Sequence, residues 1–281
     1  MRAREMTACL SLLGLGLFLV GPATAAMVDC QPAQGAGRFS VFLSEPGGSA
    51  LTPTQLKPFL QRLQFELDRN RDGRWINAPS TDVTFIACPG RAPSLDGQDF
   101  DETLVDGLHT RGVLLEVWGT LDAEPGAAGG APMQLRAQMN YLLVPMQFAA
   151  NRREADTAPL QRLRYPESGS AHAAAAAQDP VQLIARPLDI DAFVAAAFGY
   201  KLLRGRSYEL AHANLCRADS LLEAIALRPL TGRSKTELAT LRGFVLASAG
   251  RAVGEALADP AYPKTGVLRL QAAAKPCAGE D

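Results

Sequence analysis

Residues 113–121 read Val-Leu-Leu-Glu-Val-Trp-Gly-Thr-Leu (VLLEVWGTL), and this stretch decides the fold. Apolar side chains occupy both parities of the run. A strand patterned this way is covered on both faces, as expected at the centre of a sheet. Upstream, Asp99 to Thr110 reads as a helix stopped by Gly112, and Asp82 to Cys88 (DVTFIAC) as a buried strand ended by Pro89-Gly90. Further back, Thr52 and Pro53 form a strong helix start, N-cap followed by proline at the first helical position. Leu56, Phe59, Leu60, Leu63 and Leu67 then recur at helical spacing. Arg38 to Leu43 (RFSVFL) reads as the first strand. Downstream, a Gly/Ala/Pro loop covers 123–132, and Leu135 to Leu143 alternates apolar and polar as a half-exposed strand does. The order strand, helix, strand, helix, strand, strand implies a small sheet with a parallel core and right-handed crossovers. The last two strands can pair as an antiparallel hairpin.

The α/β segment therefore spans about 27–150. Residues 151–180 turn charged, then Pro- and Gly-containing, then Ala-rich, and read as a linker. From Asp189 the period is helical. Expected helices run from Asp189, from Ser207 to about Leu227, from Lys235 to Leu257 and from Val267 to Ala274. The fold class is thus a two-domain α+β/α chain, a small α/β sheet domain followed by a helical domain over 181–281.

Residues 1–25 have the order of a secretory signal peptide: basic Arg2 and Arg4, an apolar run from Ala8 to Val20, Gly21-Pro22, then small residues. The run is shorter than the roughly 20 apolar residues of a spanning helix. The expected location is the periplasm or the exterior, without a membrane span in the mature chain. Removing Arg2, Arg4 and Glu5 leaves 26 basic and 28 acidic residues, a balance that does not attract nucleic acid. Cys30, Cys88, Cys216 and Cys277 remain after Cys9. An even count in an exported chain suggests disulfides, and two local pairs, Cys30–Cys88 and Cys216–Cys277, suit the two-part organisation. No C-x-x-C occurs, so neither a thioredoxin-like nor a zinc site is supported.

The first helical pair resembles one tetratricopeptide repeat. Phe198 and Gly199 take the adjacent Leu-Gly places, Leu202 the usual Tyr, Ala211 and Ala218 the two alanines, and Leu215 the aromatic. Ala195 stands where Trp is usual and Glu223 where Pro is usual. A second full repeat does not align onto 234–257, so the description is one repeat-like hairpin with capping helices. The resemblance implies a partner-binding surface near Tyr200, Arg204, Tyr208 and His212. The N-terminal half resembles the α/β domains of bacterial envelope assembly proteins, in element order and in VLLEVWGTL followed by a long loop and a strand. That likeness implies an accessory or assembly role with envelope protein partners.

Three local features carry chemistry against a structural alternative. Asp68, Asn70 and Asp72 with Gly73 match the D-x-N-x-D-G opening of a calcium loop. Pro79 stands where that loop needs its bidentate Glu, and a polar helix-to-strand turn uses the same residues. The acidic cluster Asp96, Asp99, Asp101, Glu102 and Asp106 reads either as paired carboxylates or as dipole-favoured residues at a helix start. Glu116 is either a buried carboxylate that marks a site or the one exposed position of its strand. Lys264-Thr265-Gly266 copies a penicillin-binding motif, but no S-x-x-K accompanies it. His109, His172 and His212 lie in separate segments. The expectation is a non-enzymatic envelope protein without a cofactor. The alternatives are an envelope hydrolase with a site near Glu116 and a calcium-stabilised envelope protein.

Overall fold

Trp118 and its neighbours form the middle of a five-stranded sheet. The computed structural model describes residues 30–35, 38–69, 82–90, 107–124, 134–146, 163–164, 181, 187–228, 232–273 and 277. Within them the strands are β1 (Arg38–Ser44), β2 (Asp82–Cys88), β3 (Val113–Glu124), β4 (Gln134–Leu143) and β5 (Leu163–Arg164). The sheet order is β2-β1-β3-β4-β5. β1 lies parallel to both β2 and β3, and β3 pairs antiparallel with β4. The parallel core and the terminal hairpin are those that the element order implies. The stretch read as a linker contributes β5, whose Leu163 and Arg164 pair with Tyr141 and Asn140. Without it, the outer edge of β4 would leave a row of backbone donors and acceptors open there.

Helix α1 (Pro53–Arg69) starts where expected. The Thr52 backbone N–H donates to Gln55 Oε1 at 2.9 Å, so the third helical residue reaches back to satisfy the N-cap. Phe59, Leu60, Leu63 and Leu67 form its buried stripe. Four further helices follow: α2 (Pro187–Arg204), α3 (Tyr208–Ala226), α4 (Gly232–Ala258) and α5 (Lys264–Ala273). Ser207 precedes α3 as expected but makes no side-chain cap hydrogen bond.

One face of the sheet carries α1 and α2. Val41, Leu43, Phe85, Leu115, Val117, Tyr141 and Leu143 belong to the same core as Phe59, Leu63, Phe193 and Phe198. The rings of Tyr141 and Phe193 are 4.2 Å apart, and Phe39 meets Phe198 edge-on at 5.3 Å. That core continues without a break into Leu215, Leu222, Leu241, Val245 and Leu270 of the outer helices. The opposite face is covered by a second cluster of Cys30, Phe42, Cys88, Leu108, Val113, Trp118, Leu142 and Val144. Cys30 is joined to Cys88 and Cys216 to Cys277, the two local pairs that the sequence suggests.

Helices α2 and α3 form a hairpin closed at its open end by Arg228, whose guanidinium donates to the buried Asp189 at 2.7 Å. Gly199 is the point of closest approach. A Cβ there would lie 2.8 Å from Leu215 Cγ and 3.0 Å from its backbone nitrogen. Gly199→Ala is therefore expected to lower stability by about 1–3 kcal/mol, as overpacking does. The check is a lower urea midpoint at an unchanged slope.

Candidate functional site: a basic cavity at the start of the sheet

A cavity of about 430 Å³ opens where β1 and β3 begin. Its walls come from three distant parts of the chain. The lead-in Gln31–Gly35 forms one side, Arg38 and Phe39 of β1 the floor, and Thr110 to Gly112 with Lys201 of α2 the rest. Each wall is held by local chemistry. Ala33 N–H donates to Ser40 Oγ at 2.8 Å, and Arg38 N–H to Gly35 O at 3.2 Å, which pins the lead-in to β1. Gly112 adopts a φ of +76°, and a Cβ on it would stand 3.0 Å from Arg38 O. Only glycine meets both demands without strain, and its carbonyl then accepts from Ser40 N–H at 3.0 Å.

Three cations line this cavity, Arg38, Arg111 and Lys201, and among the described residues no acidic side chain does. Arg111 Nε donates to Gly107 O at 3.1 Å, and Lys201 Nζ to His109 O at 3.2 Å. Both carbonyls belong to the helical turn 107–110. That accounts for one hydrogen bond of each. It does not account for Lys201's position: burial holds its ammonium below the usual lysine range, and among the described residues no carboxylate offsets the loss of water. Arg38 has no such carbonyl contact among the described residues. The arrangement is suited to receive negative charge.

The residues singled out from the sequence are placed differently. Glu116 is not an exposed strand position: it is fully buried, and Ser44 Oγ donates to its Oε1 at 2.7 Å. It shares the second sheet face with Trp118, while Asn140, paired with Trp118 in register, is also buried. The recess that Ser44 lines, between Leu43, Pro46, Phe59 and Met139, has about 10 Å³, at the lower limit for one water. Glu116 does not line it. Asp68 lies in the last turn of α1, whereas Asn70 and Asp72 lie outside the described residues, as do the acidic cluster 96–106, His172 and residues 1–25. Among the described residues no group of three His, Cys, Asp or Glu could hold a metal ion.

The surface expected near Tyr200, Arg204, Tyr208 and His212 requires correction. Tyr200 packs on Phe244 of α4 at 5.2 Å, and Tyr208 meets Tyr262 edge-on at 5.1 Å, with its hydroxyl donating to Asp259 at 3.4 Å. Both rings are buried, as is His212, and only Arg204 is exposed. The two aromatic side chains are amphipathic, and packing between helices used their apolar bodies.

His212 instead lies beside the second disulfide, its Nε2 3.7 Å from Cys216 Sγ. Burial lowers its pKa below the ordinary 6.5. The unfolded chain therefore takes up this proton near 6.5 and the folded chain only at lower pH. Stability from this group is full above that pH and is lost as pH falls below it. The check is unfolding between pH 7.5 and 5, where a His212→Gln variant should show a shallower acid decline than the parent.

Compared with protein-family models, with curated proteins and with solved structures, the chain shows no match. No helix among the described residues is long and apolar enough to cross a membrane.

Proposed function

We propose that the chain is an exported, non-enzymatic accessory protein of the cell envelope that works by binding a negatively charged group in the basic cavity. The observation that carries this reading is Lys201, half-buried with no compensating carboxylate among the described residues, in a cavity it shares with Arg38 and Arg111. Desolvating a cation opposes folding, and a counter-charge from a ligand or partner would offset that cost. The two disulfides support an oxidising compartment. Reading α2–α3 as one tetratricopeptide-like hairpin is supported by the seat of Leu215 against Gly199 and by the fully buried Ala211 and Ala218. In this reading the helices hold Lys201 rigidly over the end of the sheet and do not offer a groove of their own.

The test compares the mature chain with a Lys201→Met, Arg111→Ala double variant, both isolated without denaturant from the extracytoplasmic fraction of expressing cells. Native mass spectrometry is expected to find a bound ligand or partner on the parent and at least tenfold less on the variant. Equal loading of both proteins would remove the cavity from the function.

A further inference from the structure

We infer that the basic cavity holds the phosphoryl group of a small phosphate monoester. This rests on the reading of the cavity as the binding site and adds the chemistry of its ligand. Three formal positive charges line the cavity, with no acidic residue among its described lining. A single carboxylate would leave two of the three uncompensated. A phosphate monoester carries about −1.5 to −2 near neutral pH and has three acceptor oxygens, so it answers more of that charge.

The donor types agree. Lys201 has three donors and spends one on His109 O. Arg111 spends Nε on Gly107 O, which leaves its terminal nitrogens. Arg38 spends none of its side-chain donors among the described residues. Guanidinium forks match phosphate oxygens bidentately, and lysine adds a point charge.

The remaining lining describes the rest of the ligand. The Phe39 ring is held in place by its edge contact with Phe198, and Pro32 and Ala33 supply apolar surface beside it. Gln31 and Gln34 add neutral donors and acceptors suited to hydroxyls. At about 430 Å³ the space exceeds what a phosphate ion fills and lies in the range of small-molecule sites. The body attached to the phosphoryl group is thus compact and partly polar, of the size of one sugar.

Calorimetric titration of the mature chain at constant ionic strength tests this with three probes: glucose 6-phosphate, inorganic phosphate and citrate. The expected result is saturable 1:1 binding of glucose 6-phosphate and at least threefold weaker binding of both inorganic phosphate and citrate. Lys201→Met should weaken glucose 6-phosphate binding tenfold or more while the melting temperature does not fall. Arg38→Ala and Arg111→Ala, both at exposed residues, provide folded variants with the same expected loss. Citrate binding as tightly as glucose 6-phosphate would overturn the phosphoryl assignment and leave the anion site standing. Inorganic phosphate binding equally tightly would overturn the monoester. Binding undiminished in all three variants would overturn the location. No saturable binding of any probe would overturn both the inference and the reading beneath it.

Discussion

Replacing Cys30 and Cys88 by alanine is expected to cost roughly 4 kcal/mol, and replacing Cys216 and Cys277 about the same. The pairs close loops of 58 and 61 residues, and loop-closure entropy of that length has this magnitude. Removing both would withdraw about 8 kcal/mol from a stability that is typically only about 5–15. The double variant should lack a cooperative unfolding transition at 37 °C. The first pair has a further consequence. Cys30 ties the lead-in to the end of β2, and the lead-in is a wall of the basic cavity. Its loss should therefore weaken anion binding in conditions where the chain remains folded, whereas loss of Cys216–Cys277, neither of which lines the cavity, should not. Urea unfolding of the four proteins measures the first claim, and titration of each folded protein the second. Two variants with unchanged urea midpoints would show that neither crosslink stabilises the fold.

Phe193→Ala is expected to cost about 3–5 kcal/mol, the upper range for a truncated core aromatic. The reason lies in α2. Ile190 and Ala192 to Phe198 are all fully buried, so this helix has no wet side there. A helix apolar all round must be covered all round. Phe193 meets Tyr141 on the sheet, while Tyr200 meets Phe244 of α4. It follows that a fragment of residues 181–281 alone would expose the sheet-facing side of α2. The fragment is expected to be helical by far-ultraviolet circular dichroism but to lack fixed tertiary packing and to bind a hydrophobic dye. Sharp, cooperative melting of the isolated fragment would instead support two independently folding domains.

That prediction marks the line between what was readable from the chain and what was not. The strand pattern around Trp118, the Thr52-Pro53 helix start and the stops at Gly112 and Pro89-Gly90 are local signals. They place β1, α1, β2 and β4 within a residue or two of where they stand, along with the sheet's mixed pairing, while β3 runs three residues past the expected Leu121 into the stretch read as a loop. The helices of the second half were legible from period alone. The disulfide pairing followed from sequence neighbourhood. The tyrosines misled, because an amphipathic side chain fits a groove or a seam equally well, and periodicity does not say which. Glu116 misled in the other direction: a lone carboxylate in an apolar strand is cheap when exposed, yet here Ser44 from the neighbouring strand supplies a hydrogen bond and it is buried.

The cavity had no linear signature at all. Arg38, Arg111 and Lys201 are separated by 73 and 90 positions, and none belongs to a motif. Amino-acid order indicates most element types, their approximate bounds and the local sulfur pairs, because propensity, capping and loop closure act over short stretches of chain; β5 inside the stretch read as a linker it does not indicate. Tertiary packing alone settles that α2 lies on the sheet, that Tyr200 and Tyr208 are interior, and that three cations face one space. Those outcomes depend on which buried surfaces meet, and desolvation and charge act through space regardless of position in the chain.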